Sequence, residues 1–135
     1  MKVKTFKLKN ILILFITFIS LTTYSQTQYE MNMEASKKFY KADEELNLVY
    51  NKIRNKYKSD KEFLKNLKLS QNIWIKFRDA EMLVKYPENQ QNIYGSVFSM
   101  CYSGWKEKLT IERTKRLKEW LKEYEDGDVC SGSLR

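Results

Sequence analysis

Five polar residues stand where a helical period calls for apolar ones, and they are the side chains with the most chemistry to offer. Asp43 follows Phe39 by four and precedes Leu46 by three, and Asn47 precedes Tyr50 by three. Gln71 falls between Leu67 and Trp74, Arg78 follows Trp74 by four, and Arg113 lies four from both Leu109 and Leu117. A buried polar group needs a hydrogen-bond partner, and a buried charge needs a countercharge. The simplest arrangement pairs Asp43 with Arg78 or Arg113, with Asn47 and Gln71 completing the network. Two roles fit such a seam. It fixes which helix lies beside which, or it lines a pocket between helices in which an arginine reads an anion. The structural role is preferred, because bundles need devices that set register.

Catalytic chemistry is poorly supplied. The chain has no histidine, the commonest general base and metal ligand. Its two cysteines, without histidines, make no zinc site. A glycine-rich phosphate loop and a serine elbow are both missing. Glu44 with Glu45, Asp79 with Glu81, and Glu123 with Glu125 supply carboxylates, and paired carboxylates hydrolyse glycosides. Near neighbours on a helix, however, point in different directions and form a solvated face. The expectation is a non-enzymatic protein with no catalytic residue, no metal and no cofactor.

The formal charge of +8 overstates the basic character of the folded part. Lys2, Lys4, Lys7 and Lys9 belong to the first ten residues; without these four, the 25 Lys and Arg fall to 21, against 17 Asp and Glu. Such a surface is mildly basic and evenly mixed, not the concentrated stripe of a nucleic-acid binder. The same lysines precede a largely apolar run, Ile11 to Leu21, and then a small polar stretch, Thr22 to Gln26. This is the layout of a secretory signal peptide. The run is shorter than the roughly 20 residues that span a bilayer. The division that follows is a signal peptide over 1–25, a helical domain over 26–125 and a flexible tail over 126–135. The exported product is expected in the periplasm or outside the cell, with no stable membrane span after cleavage.

The elements that must position the seam are helices. Between Thr27 and Tyr86 there is neither proline nor glycine. A first helix is predicted from about Gln28 to Lys58, with Phe39, Ala42, Leu46, Val49, Tyr50, Ile53 and Tyr57 on one face. A second starts at Asp60 as N-cap and stops before Pro87, burying Phe63, Leu67, Trp74, Phe77 and Leu83 or Val84. Glu88 to Gln91 read as a polar loop. A third runs from about Ile93 to Tyr124 through Val97, Cys101, Trp105, Leu109, Leu117, Trp120 and Leu121, with Gly104 as a possible kink. Short connections make the three an elongated, antiparallel all-α bundle. A continuous third helix would place the start and end of the Cys101–Glu125 stretch about 36 Å apart. Five tail residues reach back about 17 Å, so either the helix breaks near Gly104, or the cysteines bridge two chains, or, as preferred here, Cys101 and Cys130 remain thiols in the monomer.

Three stretches resemble one family. Lys41 to Tyr50 is close to the pattern Asp-x-x-Leu-Asn-x-x-Tyr, carried by Asp43, Leu46, Asn47 and Tyr50. Leu67, Gln71, Trp74 and Arg78-Asp79-Ala80 are close to Leu-x-x-x-Gln-x-x-Trp-x-x-x-Arg-Asp-Ala. Cys101, Thr110, Arg113, Thr114 and Leu117 complete the set. In this the chain resembles the N-terminal domain family of the LprI-type lysozyme inhibitors, over about Glu30 to Leu121. The resemblance implies an exported helical binding protein and, for some members, inhibition of a lysozyme-like partner. It makes Asp43, Asn47, Gln71, Arg78 and Arg113 the signature polar seam, and Leu46, Tyr50, Leu67, Trp74 and Leu117 the signature core. The alternative is an envelope interaction protein that binds another protein or an anionic cell-wall polymer without inhibiting anything.

Overall fold

The computed structural model describes residues 2–123 and 130–133, with side chains from 27 onward except 90 and 91. The side chains of the expected signal peptide, and residues 126–129, 134 and 135 of the expected tail, lie outside the described residues. Three helices pack together: α1 (Lys2–Lys56), α2 (Lys61–Lys85) and α3 (Phe98–Lys118). A 3-10 segment, Glu88–Val97, links α2 to α3, and another, Glu119–Leu121, follows α3. Among the described residues there is no strand, and no helix is long and apolar enough to cross a membrane. The all-α expectation holds.

The start and stop of α2 follow from single residues. The Asp60 carboxylate accepts a hydrogen bond from the Phe63 amide at 2.9 Å, and Glu62 sits in the first turn. That satisfies one of the unpaired donors at the helix start and sets negative charge against the dipole. At the other end the chain leaves the helix at Tyr86, one residue before Pro87, as proline requires.

Cross-helix contacts fix the topology. Asn32 Nδ2 donates to the Ser96 carbonyl at 3.0 Å, Ser36 and Ser103 hydroxyls meet at 3.4 Å, and the Tyr57 hydroxyl donates to the Trp120 carbonyl at 3.2 Å. Rising numbers on α1 meet rising numbers on α3, so these helices run parallel. Helix α2 runs back antiparallel to this pair: Phe63 lies beside Trp120, Gln71 beside Arg113, and Tyr86 beside Cys101. Consecutive helices are therefore antiparallel.

The core gathers where α1 ends and α2 begins. Leu46, Val49, Ile53 and Tyr57 meet Phe63, Leu67 and Leu117, with Tyr50, Trp74 and Trp120 packed partly against them. Tyr57 and Phe63 stack with ring centroids 4.0 Å apart. At the far end a second aromatic group, Tyr86, Tyr94, Phe98 and Tyr102, packs at 5.5 to 5.8 Å between centroids. The α1–α3 seam between these ends is built from small side chains. Ala42, Thr110 and Thr114 are buried, and Thr110 is 0 % exposed. Each threonine hydroxyl donates back along its own helix, Thr110 to the Lys106 carbonyl at 2.8 Å and Thr114 to the Thr110 carbonyl at 2.9 Å. The hydroxyls are thereby satisfied without a group from α1.

Several sequence expectations are corrected here. Helix α3 does not begin near Ile93: Gly95 has φ +57°, a backbone state that breaks the helical run, and the α-helix starts at Phe98. It ends at Lys118, not Tyr124, and passes through Gly104 without interruption. Glu88–Gln91 are 3-10 helix, not loop. Val97 and Cys101 are exposed, and Thr110 and Thr114 take the buried places beside Leu117. On α2, Phe77, Leu83 and Val84 are exposed, and Met82 is buried. The line Leu67, Gln71, Trp74, Arg78, Met82 advances in steps of four, three, four and four, which keeps it on one face. Phe77 and Leu83 fall to either side of it.

Candidate functional site

The seam residues separate into two groups. On α2 and α3, Arg113 Nε donates to Gln71 Oε1 at 3.0 Å, and Arg113 Nη2 donates to Ser70 Oγ at 3.1 Å. The Arg113 guanidinium carbon lies 5.9 Å from the Trp74 ring centroid, and that of Arg78 lies 5.3 Å from it. Trp74 thus has two cations within reach of its electron-rich faces. Arg78, whose side chain is only 12 % exposed, also pairs with its neighbour Asp79 through Nε at 2.9 Å and Nη2 at 2.8 Å. Burial, and secondarily the nearby charge of Arg116, holds the Arg113 guanidinium below its usual range. An arginine so placed still keeps its proton near neutral pH.

Asp43 and Asn47 are elsewhere. Asn47 Nδ2 donates to Asp43 Oδ2 at 3.2 Å, one turn along the same face of α1. Among the described residues no hydrogen bond or ion pair joins Asp43 to Arg78 or Arg113, so the expected cross-helix pairing is replaced by a local one. Asp43 is only half-buried and Asn47 is exposed. Water reaches the carboxylate, and no buried charge demands an arginine. Of the signature core, Leu46, Leu67 and Leu117 are buried, while Tyr50 and Trp74 are half-buried at its edge.

A cleft of about 420 Å³ opens beside the seam, with Phe63, Leu67, Leu117 and Trp120 among its walls and Ser70 and Arg113 at one end. Asp60 and Glu62 also line it. Its apolar floor and few polar groups are the composition of a small-ligand site, yet the acids oppose an anion that Arg113 alone would favour. One participant escaped the sequence reading: Ser70 stands three after Leu67 and four before Trp74, but a small exposed hydroxyl does not stand out against that period. Elsewhere, Lys85 Nζ lies 3.3 Å from the Trp105 ring centroid, and the buried Trp105 Nε1 has no hydrogen-bond partner among the described residues. Among the described residues no group of three or more acidic or thiol side chains is placed to hold a metal ion. Cys101 and Cys130 are both exposed, and no disulfide joins them.

The seam thus ties α2 to α3 and buries the signature leucines, an arrangement that a whole family could share. The sequence profile of a family described as Lysozyme inhibitor LprI matches residues 21–117. The chain belongs to the LprI family. The matched stretch takes in all of α2, most of α1 and α3 as far as Leu117. Every LprI signature residue named above lies inside it. No curated protein and no solved structure matches the chain.

Proposed function

We propose that this LprI-family chain is exported and acts as a binding protein that blocks a lysozyme-type muramidase. The carrying observation is the extent of the family match, 21–117, which spans all three packed helices and not one borrowed segment. The family's description is that of an inhibitor. An inhibitor needs no reacting groups of its own. It needs a rigid surface that occupies the glycan cleft and excludes substrate. The Arg113–Gln71–Ser70 ties, the stacked Tyr57 and Phe63, and the close α1–α3 seam supply rigidity. The polar seam is accordingly assigned to holding helices in register, with binding left to exposed surface.

The test is a cell-wall lysis assay in solution, with the purified chain titrated against lysozymes of several structural classes. Dose-dependent, saturable inhibition of one class supports the proposal. A chain that keeps its helical circular dichroism and inhibits none of them rejects it, and assigns the protein to the alternative, an envelope interaction protein without inhibitor activity.

A further inference from the structure

Helix α2 carries a second apolar face, turned away from the core. Leu69, Ile73, Phe77, Ala80 and Val84 recur in steps of four, four, three and four, which aligns them along about 22 Å of helix. The four large ones are 56 %, 58 %, 55 % and 78 % exposed. Aligned exposure of this kind marks an interaction surface, whereas isolated exposed apolar residues need no explanation. The face has no partner element among the described residues.

Charge indicates what lies against it. Lys65 and Lys76 flank one edge of the stripe, and Lys61 and Lys68 lie further round on that side, toward α1; all four are exposed, and none forms an ion pair among the described residues. The acid on that edge, Asp79, is already held by Arg78. Glu62 lies on the line of the stripe at its N-terminal end, in the capped first turn, and Glu81 borders the opposite edge. A straight apolar stripe flanked by uncommitted lysines is the pattern of a helix lying in a membrane interface. The apolar side chains enter the acyl boundary, and the lysine stems reach up so that the ammonium groups meet lipid phosphates.

We infer that the exposed face of α2, centred on Ile73 and Phe77 with Lys65 and Lys76 at its edge and Lys68 further round on the same side, docks on the surface of an anionic lipid bilayer. A soluble anionic polymer would satisfy the lysines but leave the apolar stripe in water. A second copy packed antiparallel on this face would bring lysine edges of the same sign together.

The experiment places an environment-sensitive fluorophore on the full chain through Ile73→Cys, in a background with Cys101→Ser and Cys130→Ser. A second labelled chain, Asn51→Cys on the exposed side of α1, serves as reference. Each is mixed with vesicles of phosphatidylglycerol and phosphatidylcholine, or of phosphatidylcholine alone. The position-specific readout separates docking by α2 from any attachment by the apolar N-terminal run. The expected result is a blue shift and protection from an aqueous quencher at position 73, only with the anionic vesicles, while position 51 stays accessible. Adding Lys65→Glu, Lys68→Glu and Lys76→Glu weakens that response at least about tenfold, with helicity unchanged. Three results overturn the inference: a label at 73 that stays accessible on anionic vesicles, a shift indifferent to lipid charge, or protection before any vesicle is added. The last would mean self-association. The lysis assay contains no lipid, so its outcome and this one are independent.

Discussion

Arg113 on α3 donates to the Gln71 side chain on α2 at 3.0 Å, so the one cross-helix bond between signature seam residues joins a cation to a neutral amide. A neutral partner makes the tie tolerant of salt and leaves the guanidinium available to stack near Trp74. Gln71→Leu is expected to destabilise the fold by about 1.5–3 kcal/mol, the usual range for a hydrogen bond to a charged group. A double-mutant cycle with Arg113→Met, followed by urea unfolding, should return a coupling of at least about 0.5 kcal/mol. A coupling of zero would mean that the bond contributes nothing to register.

Asp43 gives the opposite expectation. Its partner is Asn47 on its own helix, and the carboxylate is half-exposed. Asp43→Ala should therefore change stability by no more than about 0.5 kcal/mol, as other surface substitutions do. A loss of several kcal/mol in the same urea titration would show that the aspartate carries a buried charge pair after all.

The α1–α3 seam predicts sensitivity to volume, not to polarity. Thr110 is fully buried, and its hydroxyl serves only a carbonyl of its own helix. Thr110→Val keeps the shape and frees that carbonyl at modest cost, whereas Thr110→Leu forces the helices apart. The second substitution is expected to cost about 1–3 kcal/mol by overpacking. Thermal melts of the two variants side by side decide it: equal losses contradict a close-packed seam. Ile53→Ala, in the aromatic–aliphatic core and 0 % exposed, sets the upper end of the scale at about 2–5 kcal/mol.

Tyr86 predicts a pH dependence. Burial, with smaller contributions from Cys101 and Tyr94, raises its phenol above the ordinary value of 10.0, and its hydroxyl donates to the Cys101 carbonyl at 3.1 Å. A raised folded-state value means that the stabilising contribution is complete below the unfolded pKa. It is lost as pH climbs through the folded one, because the unfolded chain gives up the proton first. Tyr86→Phe should be less stable than the parent near neutral pH, and the gap should close above pH 10.0. A gap that stays constant across that window would show that the phenol is as easily ionised folded as unfolded.

What the sequence could disclose follows the strength of its local signals. The stripe Leu46, Val49, Ile53, Tyr57 is periodic and apolar, and it is the buried face of α1. Asp60 and Pro87 bracket α2 through bonds confined to their own neighbourhoods. The third helix was less legible for two reasons. Gly95 ends the run by adopting a positive φ, which its position alone does not announce. Thr110 and Thr114 are buried because α1 approaches closely, a fact of tertiary packing and not of residue type. The seam was half-legible. Its polar residues stand out against the period, but partners depend on how deep each one sits: Arg78 finds Asp79 next door, and Asp43 finds Asn47 one turn away.

The parallel pairing of α1 with α3 has a consequence for how the chain folds. Contacts such as Asn32 with Ser96 and Tyr57 with Trp120 join residues more than sixty positions apart. The partner that covers the first helix is thus the last to be made. Closing so long a loop costs entropy, so while α3 is missing α1 and α2 are held only by the contacts around their turn, such as the Tyr57–Phe63 stack. A chain that emerges from synthesis N-terminus first stays open, and collapses only once its third helix has followed the first two.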